Sequence, residues 1–253
     1  MGYPKDLLAS RSIIKHGSYA LIAPEGLVNN VIPGFENCRI SILASPKLGA
    51  SFVDYIITME KGGKNTEGFG AEGIETFVYC MEGKIKATAE GKEYVLEAGG
   101  YLYCPAGIKM YLENMLEEQS KLFLYKQKYQ AIEGRKPWTV VGNINDIEER
   151  DYDDMPTVKV KDFLPLDIAF DMNFHILTFY PGACHPFVET HVQEHGAYLL
   201  SGEGVYNLDN EWIPVKKDDY IWFGPYVPQC CYGVGRENLS YIYSKDCNRD
   251  ALL

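Results

Sequence analysis

Histidine is the scarcest ionisable residue in this 253-residue chain: there are five, and none between positions 17 and 174. Imidazole chemistry is therefore confined to the two ends of the sequence. Thiolate chemistry is also thinly provided. The seven cysteines (Cys38, Cys80, Cys104, Cys184, Cys230, Cys231 and Cys247) are odd in number and contain no C-x-x-C pair. That argues against a disulfide framework or a thiolate zinc site, and for free or buried thiols in a reducing cytosol. No apolar run approaches the length of a membrane span. The opening MGYPKDLLAS lacks the basic-then-apolar order of a secretion signal, and Asp6 stands where a myristoylation signal has Ser or Thr. A soluble, cytoplasmic protein is expected. Positive charge is in short supply too. The formal net charge of −11 repels nucleic acid and acidic membranes, and no helix-turn-helix pattern flanks the rest.

What is plentiful is aromatic. Phe, Trp and Tyr make 13% of the chain, with 19 Tyr, inside an ordinary globular composition of 46% hydrophobic and 23% charged residues. The chain is long enough for one large domain or two small ones. Short apolar runs recur, many alternating with period two, as in Lys84-Ile85-Lys86-Ala87-Thr88 and Lys92-Glu93-Tyr94-Val95-Leu96. Gly, Pro and Asn punctuate them every eight to twelve residues, which predicts an all-β sandwich or barrel. The pattern also repeats. VYCMEGKIKATAEGKEYVLEAGGYLYCPAG from Val78 and LLSGEGVYNLDNEWIPVKKDDYIWFGPYVP from Leu199 share a strand–turn order. Gly83 pairs with Gly204 and, after a two-residue gap, Gly100 with Asp219. The acidic stretch GNINDIEERDYDDMP, residues 142–156, reads as a linker. Two tandem domains are expected, residues 1–150 and 151–253.

The segment ETHVQEHG gathers candidate ligands. Glu189, His191 and His195 stand at offsets 0, 2 and 6, so one extended strand would carry all three on one face. On a helix Glu189 and His191 would lie about 200° apart. Pro181-Gly182, Pro186, Gly196 and Ser201-Gly202 also oppose a helix. His191-Val192-Gln193-Glu194-His195 fits the inverted zinc-peptidase pattern H-x-x-E-H, but that motif needs a helix. Two structural histidines in a strand are the plain alternative. Glu194 has odd parity and should point off the ligand face. His185 is a candidate supporting residue. Cys230 and Cys231 read as packing. In the first half, Glu67, Glu72 and Glu75 lack any imidazole to complete a transition-metal site.

Gly182-x6-Glu189-x-His191-x3-His195-x6-Gly202 resembles the first cupin motif, and Asp219-Tyr220-x3-Gly224-Pro225-x2-Pro228-Gln229 the second, with Gln229 where a histidine ligand usually stands. The order Glu, His, His, Gln departs from the usual His, His, Glu, His. It is similar to that of the (S)-ureidoglycine aminohydrolases, bicupin enzymes of purine breakdown. The resemblance extends to Tyr19-Ala-Leu-Ile-Ala-Pro-Glu-Gly near the start and SYIYSKDCNRD near the end.

That resemblance implies two tandem cupin (jelly-roll β-barrel) domains, the first metal-free and structural and the second carrying the site. It implies metal ligation by Glu189, His191, His195 and Gln229. It also implies a small ureide substrate contacted by Glu189, Gln229, Tyr206, Tyr241 and Lys245, with Glu189, Lys245 and Tyr241 in catalytic roles. The reaction would convert (S)-ureidoglycine and water into (S)-ureidoglycolate and ammonia. An oxygen-rich, thiolate-free donor set suits Mn²⁺, with Fe²⁺, Zn²⁺ and Ni²⁺ open alternatives. A homo-oligomer is a family expectation. Another metal-dependent cupin, a dioxygenase or isomerase, and a non-catalytic metabolite-binding bicupin are the competing readings.

Overall fold

The computed structural model describes residues 10–251, so the expectations for the extreme N-terminus fall outside it. Among the described residues the regular elements are strands and two 3-10 turns, Pro24–Gly26 and Ile144–Asp146. No helix is long and apolar enough to cross a membrane. The all-β expectation holds. In chain order the strands are β1 (Ile13–Lys15), β2 (Tyr19–Ile22), β3 (Phe35–Ala44), β4 (Phe52–Asn65), β5 (Ile74–Glu82), β6 (Lys84–Ala89), β7 (Lys92–Glu97), β8 (Gly100–Cys104), β9 (Tyr111–Asn114) and β10 (Ser120–Lys128). They continue as β11 (Val140–Asn143), β12 (Arg150–Tyr152), β13 (Met155–Asp162), β14 (Met172–Phe179), β15 (His195–Ser201), β16 (Glu203–Leu208), β17 (Glu211–Lys216), β18 (Tyr220–Phe223), β19 (Gln229–Gly233) and β20 (Leu239–Asp246).

The chain forms two compact units whose sequences interleave. One holds the described part of residues 1–27 with Asp151–Val160 and Ile176–Ser244; the other holds Val28–Arg150, Lys161–His175 and Lys245–Leu253. A single cut at 150 therefore misses three exchanges. The clearest is at the start of the chain. Strand β2 pairs antiparallel with β18, Tyr220 opposite Ile22 and Phe223 opposite Tyr19, and β1 follows on β2. The Arg11 guanidinium anchors this segment with a two-pronged contact to the fully buried Asp219 carboxylate, at 3.0 and 2.6 Å. A hydrophobic pattern shows which face of a strand is buried, but not which distant strand it joins.

In that unit the sheet β1-β2-β18-β15-β20-β14-β13-β12 and the three-stranded sheet β17-β16-β19 both contribute to one core. Its residues include Leu21, Leu177, Phe179, Ala197, Leu199, Leu208, Val215, Ile221 and Leu239. The second unit builds a corresponding core from Ile57, Val78, Cys80, Ile85, Ala87, Leu102, Leu122 and Leu124. Here the period-two reading of β6 is met: Ile85, Ala87 and Ala89 are buried while Lys84, Lys86 and Thr88 are partly exposed. The β6–β7 hairpin turns through Glu90-Gly91, both at positive φ. A two-residue loop of that kind matches the twist of its strands.

The repeat is real, with a simpler register than the sequence suggested. A shift of 119 positions carries Val78 onto Ala197, Ile85 onto Gly204, Glu90-Gly91 onto Asp209-Asn210 and Leu102 onto Ile221. These residues hold matching ladder positions in the two units. Gly83 thus corresponds to Gly202, not Gly204. Both sit at positive φ (+88° and +72°), where an added Cβ would strike the Ser120 Cβ at 2.8 Å or the Asn238 carbonyl at 2.5 Å. No gap is needed before Gly100 and Asp219, and all seven cysteines are free.

Candidate metal centre and its pocket

The ligand segment is not one strand. Glu189 forms an isolated antiparallel bridge with Gln229, the chain bends at Val192, and His195 opens β15. Residues 182–191 are instead laced along and beyond β19. His185 N–H donates to the Cys231 carbonyl, Glu189 and Gln229 exchange two backbone hydrogen bonds of 2.9 Å, and Tyr226 N–H donates to the His191 carbonyl. The expected even-spaced ladder gives way at the Val192 bend, between the Glu189–Gln229 bridge and the start of β15. The bend nonetheless achieves what the ladder was meant to do, since it returns His191 to His195.

Each imidazole has one nitrogen turned to a backbone carbonyl. His191 Nδ1 lies 2.9 Å from the Gln193 oxygen, and His195 Nδ1 lies 2.9 Å from the Ser244 oxygen. A carbonyl only accepts, so in the neutral rings Nδ1 carries the proton and Nε2 offers its lone pair. The two Nε2 atoms then face each other at 3.3 Å, and the Gln229 side-chain amide lies 3.0 Å from His191 Nε2. Two lone pairs brought together in a half-buried site repel unless a cation lies between them. Carbonyl-anchored imidazoles are also the usual outer support of metal-binding histidines. Turning the Gln229 amide presents its oxygen instead of its nitrogen.

Glu189 stands directly across from Gln229, and its charge raises the pKa values of Tyr206, Tyr152 and Cys230, although burial is the larger cause for each. No three His, Cys, Asp or Glu groups among the described residues gather tightly enough to hold a metal by themselves. The converging set is two imidazoles and an amide, with Glu189 held beside it through the backbone bridge. In its chemistry this donor set fits a divalent ion.

The wall of the site is aromatic. Tyr206 and Tyr241 are buried with their hydroxyls 3.1 Å apart. Desolvation holds both phenols well above 10, so they stay protonated at neutral pH. The His195 ring packs edge-on to Tyr243 at 5.2 Å and to Phe223 at 5.9 Å. Lys245 lies on β20 two residues beyond Tyr243, so strand parity assigns it the Tyr241–Tyr243 face. Glu194 points away from the ligands, as its parity predicted, and accepts a 3.0 Å bond from Trp222 Nε1.

Cys230 and Cys231 are buried, Cys231 within the core. His185 packs near Tyr152, Phe179 and Tyr206, its Nδ1 accepts from Cys231 N–H, and burial pushes its pKa down to about 4. Two wall residues, Tyr152 and Tyr243, went unnoticed in the sequence. Tyr243 was recoverable from its position midway between Tyr241 and Lys245.

In the other unit the same ladder positions carry no ligands. The shift of 119 puts Thr76 at the place of His195 and Met110 at that of Gln229. The Phe69–Met110 bridge corresponds to Glu189–Gln229. Glu67 and Glu72 are exposed, and Glu75 faces away from the barrel core to bond Tyr103 and Gln127.

Residues 48–120 match the EutQ-like cupin domain family and residues 175–244 the cupin domain family, so the protein is a double cupin. Over 250 residues it is 60% identical to the (S)-ureidoglycine aminohydrolase of Escherichia coli (strain K12), covering 98% of this chain and 96% of that one. It is 32% identical to a probable (S)-ureidoglycine aminohydrolase of Oryza sativa subsp. japonica, over 96% of this chain and 77% of that one. The crystal structure of protein Ylba from E. coli aligns with a TM-score of 0.89 at 57% identity, covering both chains completely. The chain belongs to the (S)-ureidoglycine aminohydrolase family, and it is an enzyme.

Proposed function

We propose that this enzyme converts (S)-ureidoglycine and water into (S)-ureidoglycolate and ammonia, in purine and allantoin degradation, with Mn²⁺ held by Glu189, His191, His195 and Gln229. The observation that supports it most is the convergence of the His191 and His195 Nε2 atoms and the Gln229 amide beside the buried Tyr206–Tyr241 pair. At such a centre a divalent ion supplies Lewis acidity and makes water a better nucleophile near neutral pH.

The chain's own groups do the rest. The substrate's central carbon bears an amine, a ureido nitrogen and a carboxylate. Lys245, on the Tyr241–Tyr243 face, pairs with the carboxylate. Tyr206 and Tyr241 remain protonated, so they orient the ureido group by hydrogen bonding and do not act as bases at neutral pH. Glu189, whose charge reaches Tyr206, takes the proton that the attacking water gives up and passes it to the amine, which leaves as ammonia. The C–N bond to that amine breaks and a C–O bond from water forms. Phe223 and Tyr243, packed on the His195 ring, shield the centre from bulk water. The first cupin domain, lacking ligands at the matching positions, is structural in this scheme.

The test is ammonia release from freshly generated (S)-ureidoglycine by metal-stripped protein, with and without added Mn²⁺, against the enzyme-free rate. Fast Mn²⁺-dependent release giving only the (S) product supports the proposal. Release at the enzyme-free rate with metal loaded refutes it, and oxygen uptake with Fe²⁺ would transfer the protein to the dioxygenases.

A further inference from the structure

Lys126 carries a positive charge into an apolar cavity where no acid among the described residues meets it. It lies on β10 with the parity of Leu122 and Leu124, both in the barrel core, so its side chain enters the mouth of that barrel. Its ammonium sits over the rings of Phe69 and Tyr55, 5.4 and 5.7 Å from their centroids. No carboxylate among the described residues lies within ion-pair distance of it.

Beside it opens a cavity of about 510 Å³, lined by Ile32, Phe35, Phe52, Phe69 and Ile74 among others, with Lys128 as a second cation and no acidic residue. That size is within the range of small-molecule sites. In a chain with 35 acidic and 24 basic residues, a cavity lined by two lysines and no acid selects for negative charge.

We propose that this cavity binds a small organic monocarboxylate, its carboxylate on Lys126 and its apolar body against Phe35, Phe52, Phe69 and Ile74. A metal plays no part, because Thr76, Phe69 and Met110 stand where the other barrel has His195, Glu189 and Gln229. The shift of 119 that carries Leu124 onto Tyr243 carries Lys126 onto Lys245. The barrel thus has no candidate metal ligands at the matching positions and a cation at the position that matches Lys245. The apolar lining favours a monocarboxylate over phosphate, which needs several N–H donors around it. The ammonium's pKa is lowered by burial and raised by no neighbour, so an entering anion supplies the counter-charge it lacks.

The test uses the full-length protein stripped of metal, so that carboxylates do not collect at the other site. Phenylacetate and its uncharged analogue phenylacetamide are titrated calorimetrically, up to about 10 mM to cover a Kd near 1 mM. The parent should bind phenylacetate at least tenfold more tightly than the amide. Lys126→Met should lose at least tenfold in that affinity with an unchanged melting temperature, and Lys126→Arg should retain it. The proposal is overturned if acid and amide bind alike, if Lys126→Met binds as the parent does, or if Lys245→Met and not Lys126→Met abolishes binding. It is also overturned if the parent binds none of acetate, butyrate, hexanoate and phenylacetate.

Discussion

Arg11→Met should unfasten the first strands from the barrel that carries His191, His195 and Gln229. Asp219 is fully buried and accepts two bonds from Arg11 and one from the Lys216 backbone N–H at 2.9 Å. Removing the guanidinium leaves that carboxylate with a lone backbone donor. Breaking one partner of a buried pair costs about 3–5 kcal/mol. The Arg11 side chain is 37% exposed, so water can reach the gap and the expected loss drops to about 2–3 kcal/mol.

Urea unfolding followed by tryptophan emission reads this directly. Trp222 is buried on β18, opposite Ala20 of β2, whereas Trp138 and Trp212 are about half exposed. With a slope of roughly 2–3 kcal/mol per molar, the midpoint should fall by about 1 M. Combining Asp219→Asn with Arg11→Met should restore more than half of the loss, because the uncompensated charge is gone. A midpoint shift below about 0.2 M would refute the reasoning. So would losses for Arg11→Met and Asp219→Asn that simply add in the double variant.

Three further expectations concern the site. His195→Ala and Gln229→Ala should each weaken Mn²⁺ binding by on the order of 100-fold in a chelator competition, and parent-like affinity for either removes that residue from the donor set. Tyr206→Phe strands the buried Tyr241 hydroxyl and should cost about 1–3 kcal/mol in urea unfolding, with the double Phe variant losing less than the two singles combined; strict additivity would break the pair. His185 is held near 4 by burial against 6.5 in the unfolded chain, so between those values only the unfolded chain holds the proton. The His185 contribution is intact above pH 6.5 and lost as pH falls towards 4, by roughly 3 kcal/mol in all. His185→Gln should flatten that part of the stability profile, and equal slopes in parent and variant would count against the assignment.

The chemistry-bearing residues were legible because identity and spacing carry them. Two imidazoles four positions apart, a glutamate two before them and a glutamine before a cysteine pair were visible without coordinates. How they meet was not visible. Even spacing pointed to one strand, whereas the chain bends at Val192 and its first part is pinned to β19, a pairing that side-chain parity does not encode. Parity groups Lys245 with Tyr241 and Tyr243 on the continuous strand β20, and Glu194, just before β15, also points off the ligand face. The repeat was visible too, but matching Gly83 to Gly204 required a gap that the ladders do not contain.

The sequence by itself determined the all-β class, the duplication, the free thiols and the residue types available to the candidate site, since these follow from local alternation, turn chemistry and composition. Only the tertiary structure decided that Arg11 and β2 join a barrel some two hundred positions further along. It also brought His191, His195 and Gln229 within hydrogen-bonding distance and left Lys126 without an acid among the described residues. These are matters of long-range pairing. A strand's pattern specifies the face it buries, while the partner is chosen by the sheet edge, the charge and the space that the rest of the fold leaves open.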